Sequence, residues 1–229
     1  MIGVINRHCV FSDISASKEN PSWFDREKIF LNLVKETDRD DIKFYVFFDG
    51  DDLSGHFLNK YKDQYKIITK KCGSGAASFT SALDFASTLD CESFYFVEDD
   101  YIHKKNWVNV LKEGLSLGAD YVTLYDHPDK YDVSMYNQSS MLLLSPSSHW
   151  KITPSTTDTF ACKKEVLLRD MDILKKYSTG TRISRDHERF LHLGSLGRKL
   201  ISSIPGFSNH TVVGYESPTI NWEDVLENE

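Results

Sequence analysis

Residues Ser93 to Tyr101 read Ser-Phe-Tyr-Phe-Val-Glu-Asp-Asp-Tyr, an aromatic and β-branched run that ends in three consecutive carboxylates. An apolar run of this length without polar alternation predicts a strand covered on both faces, as in a parallel α/β sheet, where ligands sit beyond the carboxyl ends of the strands. Glu98, Asp99 and Asp100 then stand at that ligand edge. Three adjacent anionic side chains repel one another, and a hard divalent ion with oxygen ligands relieves the repulsion most simply. A solvated acidic turn or a helix N-terminus accounts for the same triplet, because Asp is common in both.

The segments around this run alternate between strand and helix signals, the pattern of a parallel sheet with crossover helices. Strands are predicted at Ile2 to Ile5, Lys43 to Phe48, Tyr65 to Thr69 and Ala119 to Leu124, and helices at Pro21 to Lys35, after Ser74, and from Trp107 to a stop at Gly118. The second half reads as strands at Met141 to Leu144, His149 to Ile152 and Lys199 to Ser203, with helices near Phe160 to Lys176 and Asp186 to Leu196. No repeat or linker divides the chain. We therefore expect one compact α/β domain with a mainly parallel central sheet flanked by helices, in which 1–125 form a nucleotide-binding half and 126–229 an acceptor-side half.

The 229 residues carry 27 basic against 34 acidic side chains, a net charge of -7, which argues against nucleic acid as a partner. Cys9, Cys72, Cys91 and Cys162 are scattered without a CxxC pair, as expected of free thiols in a reducing compartment. No apolar stretch approaches the roughly 18 residues of a membrane span, and no secretory leader follows Met1. A cytoplasmic location is the expectation, so the acceptor-type triplets Asn137-Gln138-Ser139 and Asn209-His210-Thr211 read as accidental.

Each strand of the first half ends in a polar group. Asn6 and Arg7 follow the first, Asp49 the second, Lys71 and the Gly73-Ser74-Gly75 turn the third, and the acidic triplet the fourth. Together they offer a carboxylate for a base or ribose, cations and helix N-terminal amides for phosphates, and an acidic group for a metal. Ser74 is a natural N-cap for the helix carrying Phe79, Ala82, Leu83 and Ala86.

Val97-Glu98-Asp99-Asp100, with a hydrophobic strand before it and a Trp107 helix after it, resembles the DxD-type motif of GT-A fold, nucleotide-sugar-dependent glycosyltransferases. That resemblance implies a Rossmann-like GT-A domain moving a sugar from a nucleoside-diphosphate sugar, UDP-sugar favoured, to a hydroxyl of a carbohydrate or glycan acceptor. It implies Asp100 as the direct metal ligand, with Glu98 and Asp99 contacting the ribose or supporting that ligand. Asn6, Arg7, Asp49, Lys71, Ser74 and Gly75 match nucleotide-binding positions, although an Asp before Gly is also a plain turn signal. His210, after Pro205-Gly206, resembles the C-terminal metal ligand of that fold, and imidazole plus carboxylate suits Mn²⁺ better than Mg²⁺.

If transfer inverts the anomeric centre, the acceptor hydroxyl needs a base. Asp186 occupies about the place where inverting relatives carry an acidic residue, with Asp158 and Glu188 as lesser candidates. The competing reading makes Asp186 a helix-dipole partner of Ser184 and Arg189, with a pKa near or below the reference of about 3.9, too low for a base at neutral pH. Trp107, Tyr125, Tyr131 and Trp150 are candidate sugar-stacking rings that read better as core. A sugar-1-phosphate nucleotidyltransferase ranks below a glycosyltransferase, because Asn6-Arg7-His8-Cys9 replaces the Gly-rich turn expected after the first strand. A non-catalytic carbohydrate- or nucleotide-binding module is the third reading.

Overall fold

The computed structural model describes residues 1–10, 18–134 and 139–228. Its centre is a nine-stranded sheet in the order β3-β2-β1-β4-β9-β6-β10-β8-β7. The strands are β1 (Ile2–Cys9), β2 (Ile42–Asp49), β3 (Lys66–Thr69), β4 (Ser93–Glu98), β6 (Tyr121–Thr123), β7 (Leu142–Leu144), β8 (His149–Ile152), β9 (Phe160–Lys163) and β10 (Leu200–Ile204). β8 and β9 run against the other seven, so the sheet is mixed but mostly parallel. The short strands β5 (Tyr101–His103) and β11 (Ser208–His210) pair antiparallel as a separate ribbon. Helices α1 (Arg26–Val34), α2 (Gly75–Ser87), α3 (Trp107–Ser116), α4 (Lys164–Lys176), α5 (Asp186–Ser195) and α6 (Trp222–Asn228) complete the fold.

The continuous apolar run of β4 is covered on both faces, as its pattern requires. Tyr95 and Val97 pack with Val4, Trp107, Val108, Leu111, Val122 and Trp150 in the core under α3. Phe94 and Phe96, pointing the other way, join Ile5, Phe79, Leu83, Phe160, Leu167 and Phe190 under α2, α4 and α5. Alternation of side chains along a strand thus feeds two cores from one sequence. Trp107, Tyr125 and Trp150 are at most 1% exposed and belong to this interior, whereas Tyr131 is 50% exposed.

Gly114 marks how tightly the first core is closed. A Cβ there would meet Trp150 Cη2 at 2.6 Å and Val122 Cγ1 at 2.7 Å, and the buried indole has no room to retreat. Gly114→Ala is expected to destabilise the protein by about 2 kcal/mol through overpacking, seen as a lower urea midpoint at unchanged slope.

Two expectations change. The segment from Phe160 does not begin as helix: Phe160–Lys163 is a strand lying antiparallel between β4 and β6, and the helix starts at Lys164. Its four residues are too few to separate a buried strand from a first helical turn by periodicity. The helix placed at Pro21 to Lys35 starts at Arg26, capped by the Asp25 carboxylate, which accepts from Lys28 N at 3.0 Å. No described helix is long and apolar enough to cross a membrane. All four cysteines are free thiols. Asn209 is fully buried, with Oδ1 accepting from Ser217 N at 2.6 Å, so it is no glycosylation acceptor. Asn137 and Gln138 lie outside the described residues.

Candidate active site

Because β1, β2, β3 and β4 run parallel, their carboxyl ends open on one rim, and a cavity of about 540 Å³ lies there. Arg7, Asp49, Lys71, Ser74, Gly75, Glu98, Asp99 and Asp100 all line it. Asn6, His210 and Asp186 stand outside that wall.

Arg7, only 6% exposed, is fixed from several sides. Nη2 donates to Glu98 Oε1 at 2.9 Å and Nη1 to the Gly75 carbonyl at 3.4 Å, while the guanidinium lies over Phe79 at 5.2 Å. It ties the end of β1 to the end of β4 and to the first turn of α2. Asn6 points into the fold instead, with Nδ2 donating to the Val97 carbonyl at 3.4 Å and Oδ1 2.6 Å from His8 Nε2. Its place is structural, under the rim, rather than on the ligand surface assigned from the sequence. The alternation of side chains along β1 explains the difference between two adjacent residues.

Asp49 Oδ1 accepts from Cys72 N at 2.7 Å and from Gly73 N at 3.2 Å. The strand-ending carboxylate therefore holds the turn that leads into α2 and still faces the cavity. Gly73 has φ +81°, a conformation open to glycine at little steric expense. Ser74 then caps α2, its Oγ accepting from Ala77 N at 3.2 Å. The N-terminus of α2 faces the cavity, an arrangement suited to an anion. Lys71 pairs with Asp51 at 2.6 Å on the exposed wall.

The acidic triplet divides its work. Burial and the neighbouring Asp100 and Asp158 carboxylates push Glu98 upward against the pull of Arg7. Asp99 is pushed up to about 7, chiefly by burial, despite Arg26 nearby. Asp100 goes the other way: burial opposes its charge, but His210 and Lys18 beside it hold its carboxyl well below the usual range.

The β5/β11 ribbon explains why His210 reaches Asp100 across 110 positions of sequence. Its register sets His210 opposite Tyr101, and Thr211 locks the junction, its N and Oγ1 both donating to the Asp100 carbonyl at 2.9 and 2.7 Å. His210 stacks on Tyr101 at 5.0 Å with the rings 6° apart, and its Nε2 lies 3.1 Å from Asp100 Oδ2.

Among the described residues, several buried polar atoms in this region have no hydrogen-bond partner: Arg7 Nε, His8 Nδ1, Asp99 Oδ2, Asp100 Oδ1 and His210 Nδ1. Buried polar groups are nearly always paired, so these atoms are open to a further partner. Among the described residues no group of three or more His, Cys, Asp or Glu side chains is arranged to hold a metal. Asp100 and His210 are the two side chains that could hold a divalent ion here, as one carboxylate and one imidazole.

Asp186 opens α5, and Oδ1 accepts from His187 N at 2.7 Å. Neither partner of the competing reading materialises. Arg189, fully buried, binds Asp158, and its Nη2 donates to Ser178 Oγ at 2.7 Å and to Ser184 Oγ at 2.5 Å. Asp158 is thereby consumed by an internal ion pair, and Glu188 is exposed. Burial first, then the Asp158 and Glu98 charges, push Asp186 up to about 7.

Sequence reasoning missed His8, Lys18, Asp51 and Arg182, all of which line the cavity. It also missed Arg26, whose Nε lies 3.7 Å from Asp99 Oδ2. Lys18 and Arg182 stand in segments without periodic pattern, so only the path of the folded chain delivers them. His8 follows Arg7 directly in β1, and that adjacency to the rim was the available signal.

No protein-family model matches the chain, and neither does any curated protein. Solved structures do. Residues 1–349 of S. aureus TarS align over 92% of this chain at 15% identity and TM-score 0.54. The chain spans only 60% of that TarS chain. TarS 1–349 in complex with UDP aligns over 88% of this chain and 57% of its own, at 15% identity and TM-score 0.51. The fold is GT-A-like. The same arrangement is shared with a CMP:2-keto-3-deoxy-manno-octonic acid synthetase complexed with CTP, at 11% identity and TM-score 0.53, over 90% of this chain and 92% of that one. At these identities the likeness concerns the GT-A-like fold alone.

Proposed function

We propose that the protein is a divalent-cation-dependent glycosyltransferase that moves a sugar from a nucleoside-diphosphate sugar, UDP-sugar favoured, to a hydroxyl of a carbohydrate acceptor. The observation that carries this reading is the convergence on one cavity of a clamped arginine, the N-terminus of α2 and Asp100, whose carboxylate His210 meets from just behind the wall. Arg7 and the amides at the start of α2 bind the diphosphate. Asp49 and the β1 end face the base and ribose. Asp100 and His210 are the residues that would hold the cation, Mn²⁺ before Mg²⁺ for a mixed nitrogen and oxygen pair. When bound, such an ion supplies charge stabilisation for the departing diphosphate.

Asp186 takes the proton of the acceptor hydroxyl. A base works best when its pKa lies near the operating pH, and burial brings this carboxyl to about 7. The reaction is then an inverting one.

The likeness to the CTP-bound synthetase, which extends over nearly all of that chain, favours nucleotidyl transfer as a second reading. One experiment separates them. The protein is incubated with Mn²⁺ and a panel of UDP-, GDP- and CMP-sugars, and separately with CTP or UTP plus sugars and sugar phosphates. UDP release from a UDP-sugar, lost in Asp100→Ala, is the expected result. Pyrophosphate release from a nucleoside triphosphate instead would establish the synthetase-like reaction, and silence in both assays would leave a binding module.

A further inference from the structure

The Asp100–His210 pair already holds a cation of the protein's own. Lys18 Nζ lies 3.1 Å from His210 Nε2 and 3.5 Å from Asp100 Oδ2, while those two atoms are 3.1 Å apart. An ammonium carries three donors and no acceptor. Its contact with Nε2 is a hydrogen bond in the tautomer that presents the lone pair of that nitrogen and carries the ring proton on Nδ1. Two lone-pair donors, one of them anionic, then face each other at hydrogen-bond distance, and a positive charge between them is what makes that approach favourable. Asp100 Oδ2, 3.5 Å away, supplies the countercharge for that ammonium. Lys18 also lines the cavity that would take the donor.

Resting on the glycosyltransferase reading, we infer that Lys18 is a tethered counter-ion occupying the cation position, so that a divalent ion binds Asp100 and His210 only by displacing its ammonium. The two lone pairs that meet Lys18 are the ones a metal would use, and the site cannot hold both cations at bonding distance. The lysine keeps a buried carboxylate and imidazole compensated in the resting protein. It also sets a threshold: metal affinity is reduced by the fraction of molecules in which the ammonium is seated. Once displaced, the side chain remains at the cavity wall beside the position proposed for the diphosphate.

The test is Mn²⁺ binding, read by calorimetry and by the free-ion electron paramagnetic resonance signal, in the full chain and in Lys18→Met, Lys18→Gln and Asp100→Ala. Removal of the ammonium is expected to tighten Mn²⁺ binding by about tenfold, and Asp100→Ala to abolish it. Mn²⁺ should also raise the melting temperature of Lys18→Met more than that of the wild type, because the metal then restores a missing charge. Unchanged or weaker Mn²⁺ binding in both lysine variants, with binding still lost in Asp100→Ala, would overturn the displacement model and leave the metal site standing. Equal Mn²⁺ binding in the wild type and in Asp100→Ala would remove the site itself, and the glycosyltransferase reading with it.

Discussion

Asp186→Asn is expected to lower the turnover number of sugar transfer by about 100- to 10,000-fold, the usual worth of a positioned base. The dissociation constant for UDP should stay within about twofold, because a residue that acts on the acceptor proton contributes little to ground-state donor binding. The wild-type rate should rise with pH through about 7 and then level off, since the carboxylate is the active form and burial holds its pKa there. In the Asn variant that limb disappears.

Stability should move the opposite way. The folded-state pKa of Asp186 is raised above the ordinary 3.8 to about 7, so the folded form keeps a proton that the unfolded chain has lost. The associated stabilisation is fully present below about pH 4 and is lost as pH rises towards 7. Above pH 7 the ionised side chain is a standing penalty on the folded state. Asp186→Asn should therefore melt higher than the wild type at pH 8 and differ little from it at pH 4. A structural residue would lose stability on substitution, whereas a base held at an unfavourable pKa gains it. Full transfer activity in Asp186→Asn, with an unshifted pH profile, would refute the base assignment.

The second large effect is expected at Asp100. Asp100→Ala should reduce transfer about 1,000-fold or more at saturating Mn²⁺, because a bound cation and its ligands supply several kcal/mol of charge stabilisation at the leaving group. His210→Ala should lose less if the carboxylate alone retains the ion. UDP binding by the wild type should tighten on adding Mn²⁺, and in Asp100→Ala it should no longer respond. The backbone of this junction is held independently of the carboxylate, through the Asp100 carbonyl and Thr211. Folding of the Ala variant should therefore survive, and a loss of activity accompanied by a collapsed melting transition would discredit the comparison.

How far the sequence foretold this arrangement follows from which forces act locally. The β4 run specifies a doubly covered strand because its apolar residues have no polar face, and the Phe94/Phe96 and Tyr95/Val97 split confirms it. Ser74 and Gly73 are legible because cap and turn chemistry act over three or four residues. Phe160–Lys163 was misread because its apolar residues suit a buried strand and a helix start equally. Asn6 was placed on the wrong surface because a strand puts neighbouring residues on opposite faces. Lys18 carried no signal, since its importance arises only when the ribbon of β5 and β11 brings His210 to Asp100. The raised pKa of Asp186 was invisible for a related reason: Arg189, three residues away and the obvious ion-pair partner, turns inward to Asp158.

The most direct test of the account is a crystal structure of the protein with UDP and Mn²⁺ bound. The expected result is a manganese ion bonded to the Asp100 carboxylate and to His210 Nε2, bridging to a diphosphate that lies between Arg7 and the first turn of α2, with Lys18 Nζ moved away. An empty cavity at saturating ligand, or a diphosphate bound elsewhere with Lys18 still seated between Asp100 and His210, would contradict it.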